Sequence, residues 1–236
     1  MYGIIIKTLK YSGIVLASIA GILLITYFIL DTELPEGKSG KAADVLARNI
    51  LNTLNDQKYQ ETNFIEWTFR EKNQYKWNKT DNTVHAKIGE DSVFLDLKNQ
   101  TNNKVLLQNS SNTPQNIIEK AIKNFNNDSF WVVAPFKLFD SGTKRSIVNF
   151  DDGSRGLLIT YTSGGSTPGD SYLWKLDQYF RPVSYQMWVS IIPIGGLEVT
   201  WENWTKMQSG IYLAKTHKIL GILDIPISNL RAYNID

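Results

Sequence analysis

Ile65-Glu66-Trp67-Thr68-Phe69, Tyr75-Lys76-Trp77, Val84-His85-Ala86-Lys87-Ile88 and Val93-Phe94-Leu95-Asp96-Leu97 follow one another within one stretch of the chain. Large apolar residues recur at every second position, the period of a strand with one face toward a core. Short polar spacers, Lys79-Thr80-Asp81-Asn82 and Gly89-Glu90-Asp91, separate the runs. The spacing predicts an antiparallel meander in which Ile65, Trp67 and Phe69, and likewise Val93, Leu95 and Leu97, share faces.

The C-terminal half repeats the signal. Strands are expected over 144–150, 156–163, 171–178, 182–190, 196–205 and 211–219, with Val183, Tyr185, Met187 and Val189 on one face and Leu197, Val199 and Trp201 on another. Asp151-Asp152-Gly153 and Gln208-Ser209-Gly210 read as turns, and Ser163–Asp170 as a hairpin tip. Two helices interrupt the strands. One spans about 41–56, where Ala43, Val45, Leu46, Ile50, Leu51 and Leu54 form an apolar stripe at helical spacing. The other spans about 114–125 and opens on Thr113-Pro114. The run Phe130–Phe136, cut by Pro135, is either a short helix or a segment covering the sheet. The expected fold is α+β: a curved antiparallel half-barrel sheet of about ten or eleven strands, covered by helices.

Before this domain, Tyr11–Leu30 carries no charge. Twenty residues of helix span roughly 30 Å, the thickness of a bilayer's hydrocarbon core. Lys7 and Lys10 precede the run, and Asp31, Glu33 and Glu36 follow it. The run ends Thr26-Tyr27-Phe28-Ile29-Leu30 without small residues at a cleavage site, so an uncleaved signal-anchor is expected rather than a cleaved signal. Positive residues stay inside, which puts 1–10 in the cytoplasm and everything after Asp31 across the membrane. The expected division is a cytoplasmic tip and transmembrane helix over 1–30, a linker over 31–40 with Pro35, Gly37 and Gly40, and one β-rich domain over 41–236.

Composition excludes several classes of function. The 236 residues include no cysteine, so disulfides, Cys-metal sites, Cys nucleophiles and an acylated cysteine are absent. Net charge is +2 with no long run of either sign, which leaves no footprint for nucleic acid. The two histidines, His85 and His217, stand far apart and form no metal motif. His85 reads as solvated and His217 as a core residue. Gly165-Ser166-Thr167-Pro168-Gly169 matches neither a nucleophile elbow nor a phosphate loop. Asp151 and Asp152 belong to a turn, and Glu198 and Glu202 are expected to face solvent. No catalytic residue, metal or cofactor is expected, and the chain reads as a non-enzyme.

Aromatic residues are the remaining signal, with seven Trp, eleven Tyr and ten Phe. Trp67, Phe69, Trp77, Trp131, Tyr185, Met187 and Trp201 fall on inward-reading faces. They either fill a core or line an apolar cleft between sheet and helices, suited to a lipid or acyl chain.

The order of elements resembles the LolA/LolB-like group of periplasmic lipoprotein carriers: an export segment, an amphipathic helix, a meander of aromatic strands, a covering segment, then more long strands. Ile65–Phe69, Tyr75–Trp77, Val93–Leu97 and Asp128–Leu138 carry the likeness over about residues 41–225. It implies a half-barrel closed by helices around an apolar cavity, with no cofactor. Carriers of that group are soluble or lipid-anchored, whereas this chain is expected to keep a transmembrane helix. A tethered domain receives, hands over or senses a lipid or acylated protein at the inner membrane. Two other readings stand beside this one: an envelope interaction module that uses a sheet edge or the 163–170 tip, and an envelope hydrolase. The sequence leaves the ligand and the oligomeric state open.

Overall fold

The computed structural model describes residues 27–163 and 168–235, together with Tyr11, Ser18, Ile19 and Gly21. Most of the expected membrane span, and the centre of the 163–170 tip, lie outside the described residues. Among those described, no helix is long and apolar enough to cross a membrane.

Alternation produces the expected strands, except that 196–205 and 211–219 are each divided in two, at 201–204 and 214–215. The first meander is β2 (Phe64–Phe69), β3 (Asn73–Asn78), β4 (Thr83–Ile88), β5 (Asp91–Asp96) and β6 (Lys104–Leu107). The second is β7 (Thr143–Asn149), β8 (Arg155–Tyr161), β9 (Ser171–Leu176), β10 (Pro182–Trp188), β11 (Leu197–Thr200), β14 (Thr216–Ile219) and β15 (Leu223–Tyr233). A two-residue strand, β1 (Lys38–Ser39), borders β7, and β12 (Thr205–Lys206) pairs with β13 (Tyr212–Leu213) in a ribbon of its own. The main sheet has 13 strands in the order β1-β7-β8-β9-β10-β11-β14-β15-β2-β3-β4-β5-β6, and its pairs are antiparallel. It is open, with β1 and β6 at its edges. The α+β class agrees with expectation, and the strand count exceeds it because β1, β6 and β15 carry no clear alternation.

β15 is the strand that unites the sheet. Its first residues pair with β14, from Leu223 opposite Ile219 to Pro226 opposite Thr216. Its later residues pair with β2, from Ile227 opposite Phe69 to Tyr233 opposite Phe64. The last strand of the chain thus joins the two meanders.

Helices cover one face. α1 (Lys41–Leu54) ends at Asn55, whose left-handed conformation (φ 66°) closes the helix. Its buried stripe is Ala43, Leu46, Ala47, Ile50 and Leu54. Val45, expected in that stripe, is 56% exposed because it lies one residue off the buried face. A single turn and a half, α2 (Asp56–Glu61), follows. α3 (Pro114–Val133) carries the chain from the β6 edge back to the β7 edge, with the Thr113 hydroxyl accepting from the Asn116 amide at its start. It runs eight residues past the expected end at 125, through Asn126-Asn127-Asp128-Ser129, and passes into a 3-10 turn at Ala134–Phe136. Those polar residues read as a break. Inside the fold, however, the buried Asp128 carboxylate accepts from the Tyr75 hydroxyl at 2.6 Å and from Asn73 Nδ2 at 2.9 Å. A satisfied carboxylate is tolerated in a packed helix.

Two further positions differ from the alternation. The register of β10 shifts between Pro182 and Ser184, so Val183 turns outward (42% exposed) while Tyr185, Met187 and Val189 stay buried. Leu97 lies one residue beyond β5 and is 38% exposed.

The turns sort to two ends. Register brings 70–72, 162–163 with 168–170, 189–196 and 220–222 to one end, since Phe69 faces Ile227, Ser171 faces Trp188, Leu197 faces Met187 and Leu223 faces Ile219. We call this the near end. Residues 79–82, 150–154 and 177–181 turn at the far end. The expected linker lies along the outer face of the second meander. Asp31 and Thr32 touch the 189–196 turn, and Lys38 and Ser39 pair with Ile147 and Ser146.

Candidate functional site: an aromatic seam beneath the covering helix

Side chains on the inner face of both meanders meet α3 and α1 in one continuous core. Its most prominent feature is a seam of rings beneath α3. On the first meander Trp67 stacks on Tyr75 with centroids 4.8 Å apart, and Phe125 of α3 lies 6.0 Å from Trp67 and 5.7 Å from Trp77. Six residues further along α3, Trp131 approaches Phe69 at 6.3 Å and Tyr185 at 6.3 Å. On the second meander Tyr185, Trp174 and Trp201 contact one another edge-on or tilted, at 5.0 to 6.0 Å. Tilted and offset geometries of this kind are the favourable ones for ring quadrupoles.

Of the seven residues expected to line an apolar cleft, Trp131 lies on α3, Trp67, Phe69, Trp77 and Tyr185 meet rings of α3, and Met187 and Trp201 belong to the same core. Trp67, Tyr185 and Trp201 are 1% exposed, and Phe69, Trp77 and Met187 are buried with them. Trp131 is half-buried. Phe125, Tyr161 and His217 belong to the same seam, and alternation could not assign them to it. Phe125 sits on a helix, Tyr161 is the last residue of β8, and His217 reads as an ordinary core position.

The seam is not hydrocarbon throughout. The indole Nε1 atoms of Trp67, Trp77, Trp174 and Trp201, and the hydroxyl of Tyr161, are buried without a hydrogen-bond partner among the described residues. Such groups are uncommon in a settled core and supply donors to whatever polar atom enters. Burial, and after it the neighbouring Tyr172 and Tyr161, push the Tyr185 hydroxyl well above the ordinary phenol range. It stays a neutral group at any physiological pH.

His217 packs its ring 4.3 Å from Trp201 and 5.9 Å from Trp131. Nδ1 lies 3.2 Å from the Thr200 carbonyl oxygen. Burial lowers its pKa from 6.5 to about 4, only partly offset by the carbonyls of Thr200 and Trp131. The unfolded chain therefore binds a proton that the folded one refuses as pH falls below 6.5. Stability is complete above pH 6.5 and declines by about 3 kcal/mol by pH 4. Melting temperature should fall between pH 6.5 and 5, above the range where carboxylates titrate, and His217→Gln should flatten the profile in that window. A wild-type profile already flat there would show that His217 is protonated as readily in the fold as out of it.

Near the far end, Lys79 lies over the Tyr59 ring at 3.6 Å, and burial lowers its pKa to about 8. With Trp77 and Lys137 it borders an opening of about 360 Å³. The first meander carries a second groove of about 470 Å³, where Glu66, Lys76, His85, Lys87 and Arg231 stand beside the apolar Leu106. Glu66 accepts from Arg231 and from the Tyr233 hydroxyl. Burial would raise its carboxyl, and these two partners outweigh burial and hold it below the usual range. His85 is exposed, edge-on to Phe94.

Other titratable groups have structural partners. Asp152 accepts from the Ser154 amide and hydroxyl within its turn. Glu198, expected to face solvent, is half-buried and accepts from Lys175 at 2.9 Å and Ser184 at 2.6 Å, because the outer face of β9–β11 supplies both donors. Among the described residues no group of three His, Asp or Glu is arranged to hold a metal.

No protein-family model matches the chain, and no curated protein matches it. A solved structure similar to it is that of a DUF1329 family protein from Desulfovibrio piger, with a TM-score of 0.39 and 9% identity, covering 83% of this chain and 95% of that one.

Proposed function

We propose that the chain is a single-pass inner-membrane protein whose C-terminal domain lies in the periplasm and receives or hands over an apolar chain, either a lipid tail or the acyl group of a lipoprotein. One observation carries this reading. The aromatic seam comes to the surface through the half-buried Phe130, Trp131 and Tyr161, and Tyr161 ends β8 at the near end, where residues 27–31 also leave the domain. A chain drawn from the bilayer would meet those rings first. α3 acts as the cover in this reading, and the unpaired indole N–H groups receive the ester or amide oxygens that accompany an acyl chain. An open antiparallel sheet under helices fits a LolA-like half-barrel, and the lysines before 11–30 and acids after it support the N-inside orientation.

The test uses the full chain in lipid nanodiscs doped with a lipid bearing a diazirine on its acyl tail. After illumination, labelled peptides should include 125–136 and 155–161 as well as the segment before Asp31. Labelling confined to residues before Asp31 would sink the reading.

A specific feature favours a second reading. β6 is an open edge, and Leu106 and Leu107 on it are 49% and 51% exposed. An apolar edge of this kind accepts an added strand from a protein partner. In the nanodisc experiment that function gives no seam labelling.

A further inference from the structure

The segment that follows the apolar run is clamped to the domain. The Asp31 amide donates to the Tyr27 carbonyl at 2.8 Å, so the helical turn of 27–30 runs directly into the clamp. The Gly195 amide donates to Asp31 Oδ1 at 2.7 Å, the Thr32 amide donates to the Gly195 carbonyl at 2.9 Å, and Trp188 Nε1 donates to the Thr32 carbonyl at 2.8 Å. Both glycines of the turn are required. A Cβ on Gly195 would sit 2.6 Å from the Thr32 carbonyl oxygen, and one on Gly196 (φ 77°) would sit 1.9 Å from the Thr32 hydroxyl. Three hydrogen bonds to the domain and two close approaches fix the direction in which 27–30 departs.

The clamp is made on a turn that carries one exposed apolar tip and has a second beside it. Ile191-Ile192-Pro193-Ile194 precedes Gly195 in the same turn, and Ile191 is 69% exposed. The β14–β15 turn holds Leu220, Ile222 and Leu223 at 41%, 83% and 59% exposure. The Leu220 amide donates to the Glu198 carbonyl at 2.9 Å, which keeps this second tip beside the start of β11 and hence beside the first. Leu220 holds a left-handed φ of 52°, a conformation that branched and bulky residues avoid. Phe28 and Ile29, at the end of the preceding segment, are 71% and 72% exposed. Three apolar elements, distant in sequence, are thus presented together at the near end.

We infer that the near end rests on the bilayer that holds residues 11–30, with Ile191, Leu220, Ile222 and Leu223 inserted among the lipid headgroups. The Asp31–Gly195 clamp sets that orientation. This rests on the anchor reading above, and it adds a surface that the reading does not contain. A lipid surface is the occupant because the clamp delivers the end of an uncharged twenty-residue run to the tips themselves. Apolar tips beside a membrane anchor gain by entering the interface. Docked this way, the domain holds the mouth of the seam at Phe130 and Tyr161 against the membrane.

Because the chain lacks cysteine, single labels can be placed with no native cysteine to remove first. Ile191→Cys, Ile222→Cys and, at the far end, Asp152→Cys are each labelled with an environment-sensitive fluorophore, and the full chain is reconstituted into phosphatidylcholine–phosphatidylglycerol vesicles. Labels at 191 and 222 should be quenched several-fold more strongly by spin-labelled lipid than the label at 152, and correspondingly less by aqueous iodide. Gly195→Val should weaken lipid quenching at both tips while the chain still floats with the vesicles. Floating chain whose three labels respond alike overturns the inference and leaves the anchor intact. Tip labels shielded from iodide yet insensitive to spin-labelled lipid overturn it in favour of contact with a second copy of this chain. A chain that fails to float removes the anchor reading and this one with it.

Discussion

Truncation after Gly221, which removes β15, is expected to abolish the cooperative thermal transition. The strand buries Ile225, Ile227, Leu230 and Ala232 and pairs with β14 on one side and β2 on the other. Burying an aliphatic side chain contributes about 1.5–3 kcal/mol, so the three larger residues alone represent about 5–9 kcal/mol. That is comparable with the whole stability of an ordinary domain, about 5–15 kcal/mol. Removal also leaves two long edges in the middle of the sheet, each with unpaired backbone groups facing a seam of exposed rings. The truncated chain should lose its near-ultraviolet circular dichroism signal and melt without a sigmoid. Ile227→Ala, which keeps the pairing and opens a cavity, should lower stability by about 2–4 kcal/mol and retain a sigmoid. A truncated chain that melts like the wild type would mean that each meander is stable alone and that β15 is ornamental.

β15 is also where sequence and structure part most clearly. Within each strand between Ile65 and Leu95 the inward residues keep a period of two, and the inward face can be read from it. In Leu223–Tyr233 the inward residues are Ile225 and Ile227, then Leu230 and Ala232. A register shift between Ser228 and Arg231, with Asn229 at φ 53°, moves the inward set from odd to even positions. Pro226 adds a residue that ordinarily ends a strand. Its missing N–H is harmless here, and its carbonyl accepts from the Arg70 amide at 2.8 Å. Neither the shift nor that acceptance has a local signature. The same physics hid Val183, turned outward by a one-residue shift in β10. For α3 the difficulty lay elsewhere: Asn126–Ser129 is polar enough to end a helix, and only the distant Tyr75 and Asn73 make Asp128 acceptable inside one.

The site was legible to a different degree. Which rings face inward follows from alternation alone, and Trp67, Trp77, Tyr185 and Trp201 needed no further information. What those rings meet does not follow, because a packed core and a lined cleft select the same residues. The clamp at Asp31 was invisible for a related reason. Gly195-Gly196 reads as a loop, and only the fold brings Thr32 to within van der Waals distance of where their side chains would be.

Trp201→Ala is expected to have the largest effect of any single substitution in the seam. The indole is 1% exposed, lies 5.3 Å from Trp174 and 4.3 Å from His217, and stacks on Trp204 at 5.9 Å. Its Nε1 has no partner among the described residues, so the substitution removes packing without breaking a hydrogen bond. Truncating a buried Trp to Ala costs about 3–5 kcal/mol where the surroundings cannot collapse. Here they are rings and a backbone ladder, which collapse little. The informative measurement pairs that melt with titration of a fluorescent fatty acid, done on wild type and variant. If the seam admits an apolar chain, wild type binds the probe saturably, a competing lipid displaces it, and the enlarged seam of the variant changes the affinity. Bound probe should also stabilise the variant more than the wild type, since ligand atoms fill the space the indole left. If the seam is closed core, the variant loses the same stability and neither protein binds. A large loss of stability with no saturable binding by wild type would therefore end the lipid-transfer reading and leave the β6 edge as the functional surface.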